Sequence, residues 1–196
     1  ADFAAQLKSG KYAREADVRF GYAHALLRAN RLGEAEQEVA VLRRLKLESP
    51  LLDSLAAQLR LRQKDGAGAQ RILQESLRRH PDNRALVYAL VEAKLGAGGT
   101  AEARDALALL ERELQLTPGD ARLYGLQART YASLGKRMLQ HQAQAEAYLA
   151  EGQLDGAIQQ LEIARKAGDG DFYEASQIDA RLRDLKQRKV EEMRRR

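Results

Sequence analysis

The side chains able to do chemistry are few. Three histidines, His24, His80 and His141, are the only imidazoles in 196 residues, and there is no cysteine. A catalytic zinc site needs ligands at helix or turn spacing, as in an HExxH helix, and none of the three histidines stands in such a pattern. Without thiols there is neither disulfide nor thiolate–metal chemistry, and the chain fits a reducing or an oxidising compartment. Gly-Ala-Gly-Gly-Thr at 96–100 lacks the Gly-Lys-Ser/Thr ending of a phosphate loop and follows no strand, so it reads as a turn. No Ser/His/Asp or Cys/His set can be assembled. The sequence therefore assigns no catalytic residue, no metal ligand and no cofactor to this chain. Tyr124, Tyr131 and Tyr148 could form a base-stacking ladder, but their small neighbours make them core aromatics. His80, before Pro81, reads as a solvent-facing loop residue, whereas His24 and His141 fall on helices that could bind a partner.

The charge is informative once located. Residues 181–196 hold eight Lys/Arg against three Asp/Glu, which equals the whole net charge of +5. The high isoelectric point therefore describes a basic end, whereas a nucleic-acid groove spreads its charge. The terminal Arg194, Arg195 and Arg196 read as a solvated end that also complements a helix C-terminus, with an acidic partner or membrane surface as the alternative. No apolar run approaches the roughly 18 residues of a membrane span. The opening residues do not form a signal peptide, and the chain reads as an excised or mature piece.

What must position any binding residue is helical. Ala, Leu, Arg, Gln and Glu dominate, prolines number three, and alternating Val/Ile runs are absent. Ala35, Ala69 and Ala103 recur at intervals of 34, each followed four residues later by Val39, Leu73 or Leu107 on the same helix face. The pairs of helices so marked are 17–30 with 32–47, 50–64 with 67–79, and 82–95 with 100–116. Ser49-Pro50 supplies an N-cap and a first-turn proline, and the Pro81 and Pro118 segments break and restart helices. The 96–100 loop is expected to be about two residues longer than the other turns of the array.

The clearest hairpin lies at 145–164. Ala145, Tyr148 and Leu149 share one stripe, Leu154, Ala157, Ile158, Leu161 and Ala164 another, and Gly152 between them is placed for a left-handed helix cap. A fourth pair opens with Tyr124, Ala128, Tyr131 and Gly135 at 121–134, after which the 34-residue period fails. The helix from about 136 to 151 is expected to serve both as partner to 121–134 and as opener of the hairpin. Asp171 and Glu174 form a capping-box-like start to a final helix whose apolar stripe is read as Phe172, Ile178, Leu182, Leu185 and Val190. The expected division is a short N-terminal helix and link at 1–16, helix pairs over 17–167, and a C-terminal capping helix with a basic end at 168–196.

Ala145, Tyr148, Gly152, Ala157, Leu161 and Ala164 fill six consensus places of the tetratricopeptide repeat (TPR), which this chain resembles. The resemblance implies an all-α solenoid, a right-handed superhelix of antiparallel pairs whose concave wall binds proteins or extended peptides. Carried over by register, the wall positions are His24 and Arg28, Gln58 and Arg62, Leu90 and Lys94, Arg129 and Ser133, and Glu146 and Ala150. Their mix of cations and apolar surface suits an extended peptide with some acidic character. The Lys/Asn/Arg carboxylate clamp of chaperone-type repeats cannot be built from them.

The Q-A-E-A-Y…L-x-G-A-I-x-Q-L hairpin (144–161) and the D-x-R-L-R-x-L helix (179–185) resemble, more narrowly, the C-terminal TPR region of the periplasmic β-barrel assembly-enhancing zinc metalloproteases, in which a Ste24-like peptidase domain comes first. That resemblance implies a periplasmic location, outer-membrane protein quality control, and contact with the barrel-assembly machinery and misassembled outer-membrane proteins. With no HExxH here, it places the zinc and the endopeptidase activity in the parent's other domain. A stand-alone TPR scaffold or adaptor, and a helical-repeat RNA-binding protein, are the alternatives.

Overall fold

The computed structural model of the chain describes residues 2–10, 12–46 and 48–194. Among them every regular element is an α-helix and none is a strand: α1 Phe3–Ser9, α2 Glu15–Arg28, α3 Leu32–Arg44, α4 Pro50–Arg62, α5 Gly66–Arg79, α6 Arg84–Ala97, α7 Thr100–Leu116, α8 Ala121–Ser133, α9 Arg137–Ala150, α10 Leu154–Ala167 and α11 Phe172–Arg194. Among the described residues, no helix is long and apolar enough to cross a membrane. Leu47, assigned by sequence to the second helix, and the terminal Arg195 and Arg196 lie outside the described residues.

One backbone device makes the hairpins. A helix ends, one residue turns left-handed, and its N–H and that of the next residue bond back to carbonyls three and five residues earlier. Asn30 does this at φ 59°, its N–H reaching the Leu27 carbonyl at 3.1 Å and that of Arg31 the Leu26 carbonyl at 2.9 Å. Lys64, Gly135 and Gly152 repeat both bonds, with φ 64°, 72° and 76°. This is the Schellman closure of a helix end. Asn30, Lys64 and Gly98 (φ 74°) stand 34 apart, each five residues before the buried Ala35, Ala69 and Ala103. Turn and alanine therefore share one period, because the turn fixes where the second helix starts and the alanine is where it first touches its partner.

The chain divides within α6 into two compact units, Ala1–Ala93 and Lys94–Arg196. In the first, α2 packs on α3, α4 on α5, and α2 and α3 also reach α4. Their core gathers Ala23, Leu26, Leu27, Ala35, Val39, Leu42, Leu52, Leu55, Ala56 and Leu59. Ser49 caps α4 by accepting from the Leu51 N–H at 3.1 Å, with Pro50 at the first helical position as read from sequence. α1 is pinned to α2 through the Phe3 ring, which lies where a Cβ on Gly21 would stand 2.8 Å from it.

In the second unit, α9 packs on both α8 and α10, the two roles expected of that segment. Ala145, Ala157, Leu161 and Ala164 are fully buried in the α9–α10 seam, and Tyr148 lies over Gly156, whose Cβ would come within 3.2 Å of the ring. α11 closes α10 with Ile178, Leu182 and Leu185 buried. Asp171 and Glu174 form the reciprocal capping box, at 2.8 and 3.0 Å.

Two sequence expectations are corrected. The 96–100 segment is not a long loop: α6 runs on to Ala97 and only Gly98 and Gly99 connect it to α7. Phe172 does not belong to the buried stripe of α11. Six residues before Ile178 it falls some 120° away at about 100° per residue, and it is 89% exposed, while Val190 is partly exposed, at 38%.

Candidate functional site

The wall positions are best judged by their distance from the left-handed turn. His24 and Arg28 precede Asn30 by six and two residues, as Gln58 and Arg62 precede Lys64, and His24, Arg28 and Gln58 are exposed on the neighbouring helices α2 and α4, as is Arg62. Arg129 and Ser133 stand at the same offsets before Gly135 and are exposed too. Glu146 and Ala150 precede Gly152 likewise. Ala150 is open, but Glu146 is engaged by the capping helix: Arg181 Nε and Nη2 donate to its two carboxylate oxygens at 2.9 and 2.8 Å. This paired geometry is the strong form of an arginine–carboxylate contact.

Leu90 and Lys94 are not wall residues. Leu90 is 4% exposed and Lys94 8%, and the Lys94 ammonium bonds Asp105 of α7 at 3.2 Å. The cause is a two-residue error of register. Reading 96–100 as a long loop ends the helix early and sets the wall positions two residues too soon. Counting back from Gly98, the packing residue is Val91, fully buried and 34 residues after the buried Ala57. The equivalent wall positions are then Glu92 and Gly96, both exposed.

The histidines divide. His24 is exposed on α2, whereas His141 is half-buried and its Nδ1 is 2.8 Å from the Gln160 side-chain oxygen across the α9–α10 seam. Among the described residues, no three His, Cys, Asp or Glu side chains come together as a metal site.

Each unit carries a cleft of its own. In the first, a volume of about 990 Å³ opens beside the end of α3, α4 and α5. Arg43, Lys46, Arg60, Arg71, Arg78 and Arg79 line it, with Glu48, Asp53, Asp65 and Glu75 among them. Several of these are already paired, Arg79 with Asp53 at 2.9 Å and Arg78 with Glu75.

In the second unit, a cleft of about 450 Å³ lies between α8, α9 and the start of α11. Tyr124 and Tyr131 of α8 enter it beside Glu146 of α9, and Asp171, Tyr173 and Glu174 form the third side. Its lining contains no lysine or arginine. Burial pushes the Tyr124 phenol up, with the Glu146 charge adding to the shift and Arg181 opposing it; burial does the same to Tyr131, aided by Glu111 and Glu174. Sequence reasoning places Tyr131 and Tyr124 in the core, and they are half-buried in this cleft instead. Tyr148, equally half-buried, packs against the buried residues of the α9–α10 seam. Sequence reasoning misses Tyr173 altogether. The available signal was an aromatic pair, Phe172-Tyr173, directly after a capping residue and off the Ile178/Leu182/Leu185 stripe.

Residues 60–130 match the tetratricopeptide repeat family. That span covers the end of α4 through most of α8 and so includes the third pair. None of the curated proteins matches this sequence. Among solved structures, a thermophilic TPR protein of Thermus thermophilus aligns with 85% of this chain and 98% of its own, at 20% identity and a TM-score of 0.55. MamA (residue 41 to its end) from Desulfovibrio magneticus RS-1 aligns with 88% of this chain and 95% of its own, at 17% identity and a TM-score of 0.60. A MamA RS-1 ArsTM double mutant aligns at 16% identity over 89% of this chain and 96% of its own, also with a TM-score of 0.60. Domains of this kind are generally non-catalytic and contact other proteins. The chain is an all-α protein of the TPR fold, with tetratricopeptide-repeat sequence over residues 60–130.

Proposed function

We propose that this chain is the protein-binding, non-catalytic C-terminal part of a periplasmic zinc metalloprotease acting in outer-membrane protein assembly and quality control. The observation that carries the binding role is the recurrence of exposed positions six and two residues before a left-handed turn: His24 and Arg28, then Gln58 and Arg62, on the neighbouring α2 and α4 of the first unit, and Arg129 and Ser133 at the same offsets in the second. Within the first unit this presents a short row of side chains to an extended partner. On α2 and α4 that row is cationic at Arg28 and Arg62, which favours a segment with acidic character.

The narrower assignment draws support from the 144–161 and 179–185 stretches. The first forms the α9–α10 hairpin, and the second supplies Leu182 and Leu185, with which α11 seals it. Among the described residues, no three His, Cys, Asp or Glu side chains come together to hold a zinc ion, and the metal of the proposed parent belongs to a separate peptidase domain. The partners proposed are the barrel-assembly machinery and misassembled outer-membrane proteins, and the location is the periplasm. Photocrosslinking from Gln58 and Arg62 in Gram-negative envelope extract tests this. Crosslinks to barrel-assembly components are expected, and recovery of cytosolic proteins alone would overturn the envelope assignment. The codons upstream in the parent gene give an independent check, since the assignment requires an HExxH helix there.

A further inference from the structure

We propose that the cleft between α8, α9 and the start of α11 is a docking site for a lysine or arginine side chain carried on an extended polypeptide, held among Tyr124, Tyr131 and Tyr173 and facing the carboxylates of Glu146, Asp171 and Glu174. The proposal rests on the chain being a protein-binding module and specifies a second kind of partner segment, opposite in charge to the one suited to α2 and α4.

Three observations carry it. First, the lining brings together three tyrosines and three carboxylates without a lysine or arginine, in a chain with 33 Lys/Arg against 28 Asp/Glu. Tyrosine faces attract ammonium and guanidinium groups, and do so more strongly out of water. Second, the negative charge survives the groups around it. Arg181 neutralises Glu146, and the N-terminus of α11 contributes about half a positive charge. Asp171 and Glu174 together outweigh that half charge, and their capping box uses one oxygen of each: Asp171 Oδ1 accepts from the Glu174 N–H and Glu174 Oε2 from the Asp171 N–H.

Third, the cleft has an apolar rim. Tyr173, in the lining, is 69% exposed, so an aromatic ring stands in water at the cleft's edge. It offers contact to residues flanking the cation. Gln127, Gln142 and Gln177 in the lining can exchange hydrogen bonds with a peptide backbone irrespective of sequence. A volume of about 450 Å³ takes one long side chain with part of its main chain, within the usual range of ligand clefts.

The test uses the whole 196-residue chain and nine-residue, end-capped, fluorescein-labelled peptides of Gly, Ser and Leu, with a central Lys, Arg, Gln or Glu, read by anisotropy. The Lys and Arg peptides are expected to bind, and the Gln peptide to bind about tenfold more weakly. Tyr173→Ala and Glu174→Gln, the second retaining a capping side chain, should each weaken the Lys peptide several-fold at unchanged helicity. Equal binding of the Lys and Gln peptides, or a Tyr173→Ala chain that binds as the parent does, overturns the proposal. Binding of the Glu peptide alone, abolished by Arg28→Ala with Arg62→Ala, overturns it while upholding the protein-binding module. Binding of no peptide overturns the cleft and counts against the module as well.

Discussion

The unit Ala1–Ala93 and the unit Lys94–Arg196 use the same turn but present different surfaces. Asn30 and Lys64 in the first and Gly135 and Gly152 in the second close their helices with the same two backbone bonds. Buried alanines then seat the next helix at Ala35, Ala69 and Ala157. The surfaces diverge completely. One cleft is rich in arginine and laced with internal ion pairs, whereas the other is made of tyrosines and carboxylates and is closed on one side by α11. A few small or left-handed positions dictate the scaffold, and the residues between them are left to specify partners.

The sharpest way to break this comparison is at the large residue four positions before the left-handed turn. In α9 it is Tyr148, whose ring lies on Gly156, and in α4 it is Arg60, which reaches Glu36 at 3.1 Å. Tyr148→Ala should cost about 3 kcal/mol, near the low end for aromatic truncation because the ring is only half-buried. Arg60→Ala should cost under about 1 kcal/mol, since its guanidinium is substantially exposed. Urea denaturation followed by circular dichroism separates the two, and equal losses would mean that Tyr148 is not a packing residue of the seam.

Shared architecture predicts the next effect. Ala69→Leu in one unit and Ala157→Leu in the other should each cost roughly 1–3 kcal/mol by overpacking a site with no free space. A loss confined to one of them would show that the two hairpins are seated by different contacts. Smaller still are the turns. Gly152 has open space where a Cβ would go, so Gly152→Ala isolates backbone strain and should cost about 1 kcal/mol. Lys64→Gly should do the reverse and stabilise by about 0.5 kcal/mol, because relief of left-handed strain slightly exceeds the entropy of a freer unfolded chain. Asn30→Gly should be close to neutral, asparagine being at ease there. Chemical denaturation of the three variants checks both signs.

Most of the scaffold was legible because its signals are local. Alanine at a 34-residue interval, Gly152 and Gly135 after amphipathic stretches, Ser49-Pro50 and Asp171…Glu174 each act within one helix turn of themselves. In the third pair the end of the first helix and its register differ from the sequence reading, because Gly96 resembles a stop signal, while a helix can continue through such a residue at a cost near 1 kcal/mol when its apolar face is well packed, as Leu86, Val87 and Val91 are here. The cleft of the second unit was illegible for a different reason. It exists because α11 returns its first turn to α8 and α9, a contact between residues some 40 positions apart that no periodicity encodes. Arg181 covering Glu146 is the same kind of event, 35 residues apart.

Acid should expose the last difference between the units. Asp169, in the link before α11, accepts from the Arg137 and Met138 N–H groups at 2.5 and 2.9 Å and so caps α9 from 31 residues away. Burial is the largest single influence on it and works upward, but the backbone bonds and the Arg137 charge together hold its pKa below the ordinary value. The Lys186 hydrogen bond, at 2.7 Å, does the same for Glu162 and ties α11 to α10. In the first unit the corresponding lowered carboxyl, Glu75, is held by Arg78 on its own helix, so its protonation parts no two elements. For a depressed carboxyl the stabilisation is complete above its unfolded pKa and is lost as pH falls through the lower, folded value. Lowering the pH from neutrality should thus leave α9 and α11 firmly docked until below the ordinary carboxylate range, and then loosen them before α4 and α5. Carboxyl ¹³C titration of Asp169 and Glu162, with amide protection at Arg137 and Met138 corrected for intrinsic exchange, measures this directly. Asp169→Asn should bring that loss of protection at Arg137 and Met138 forward to neutral pH, and unchanged protection there would show that α9 needs no cap from the link.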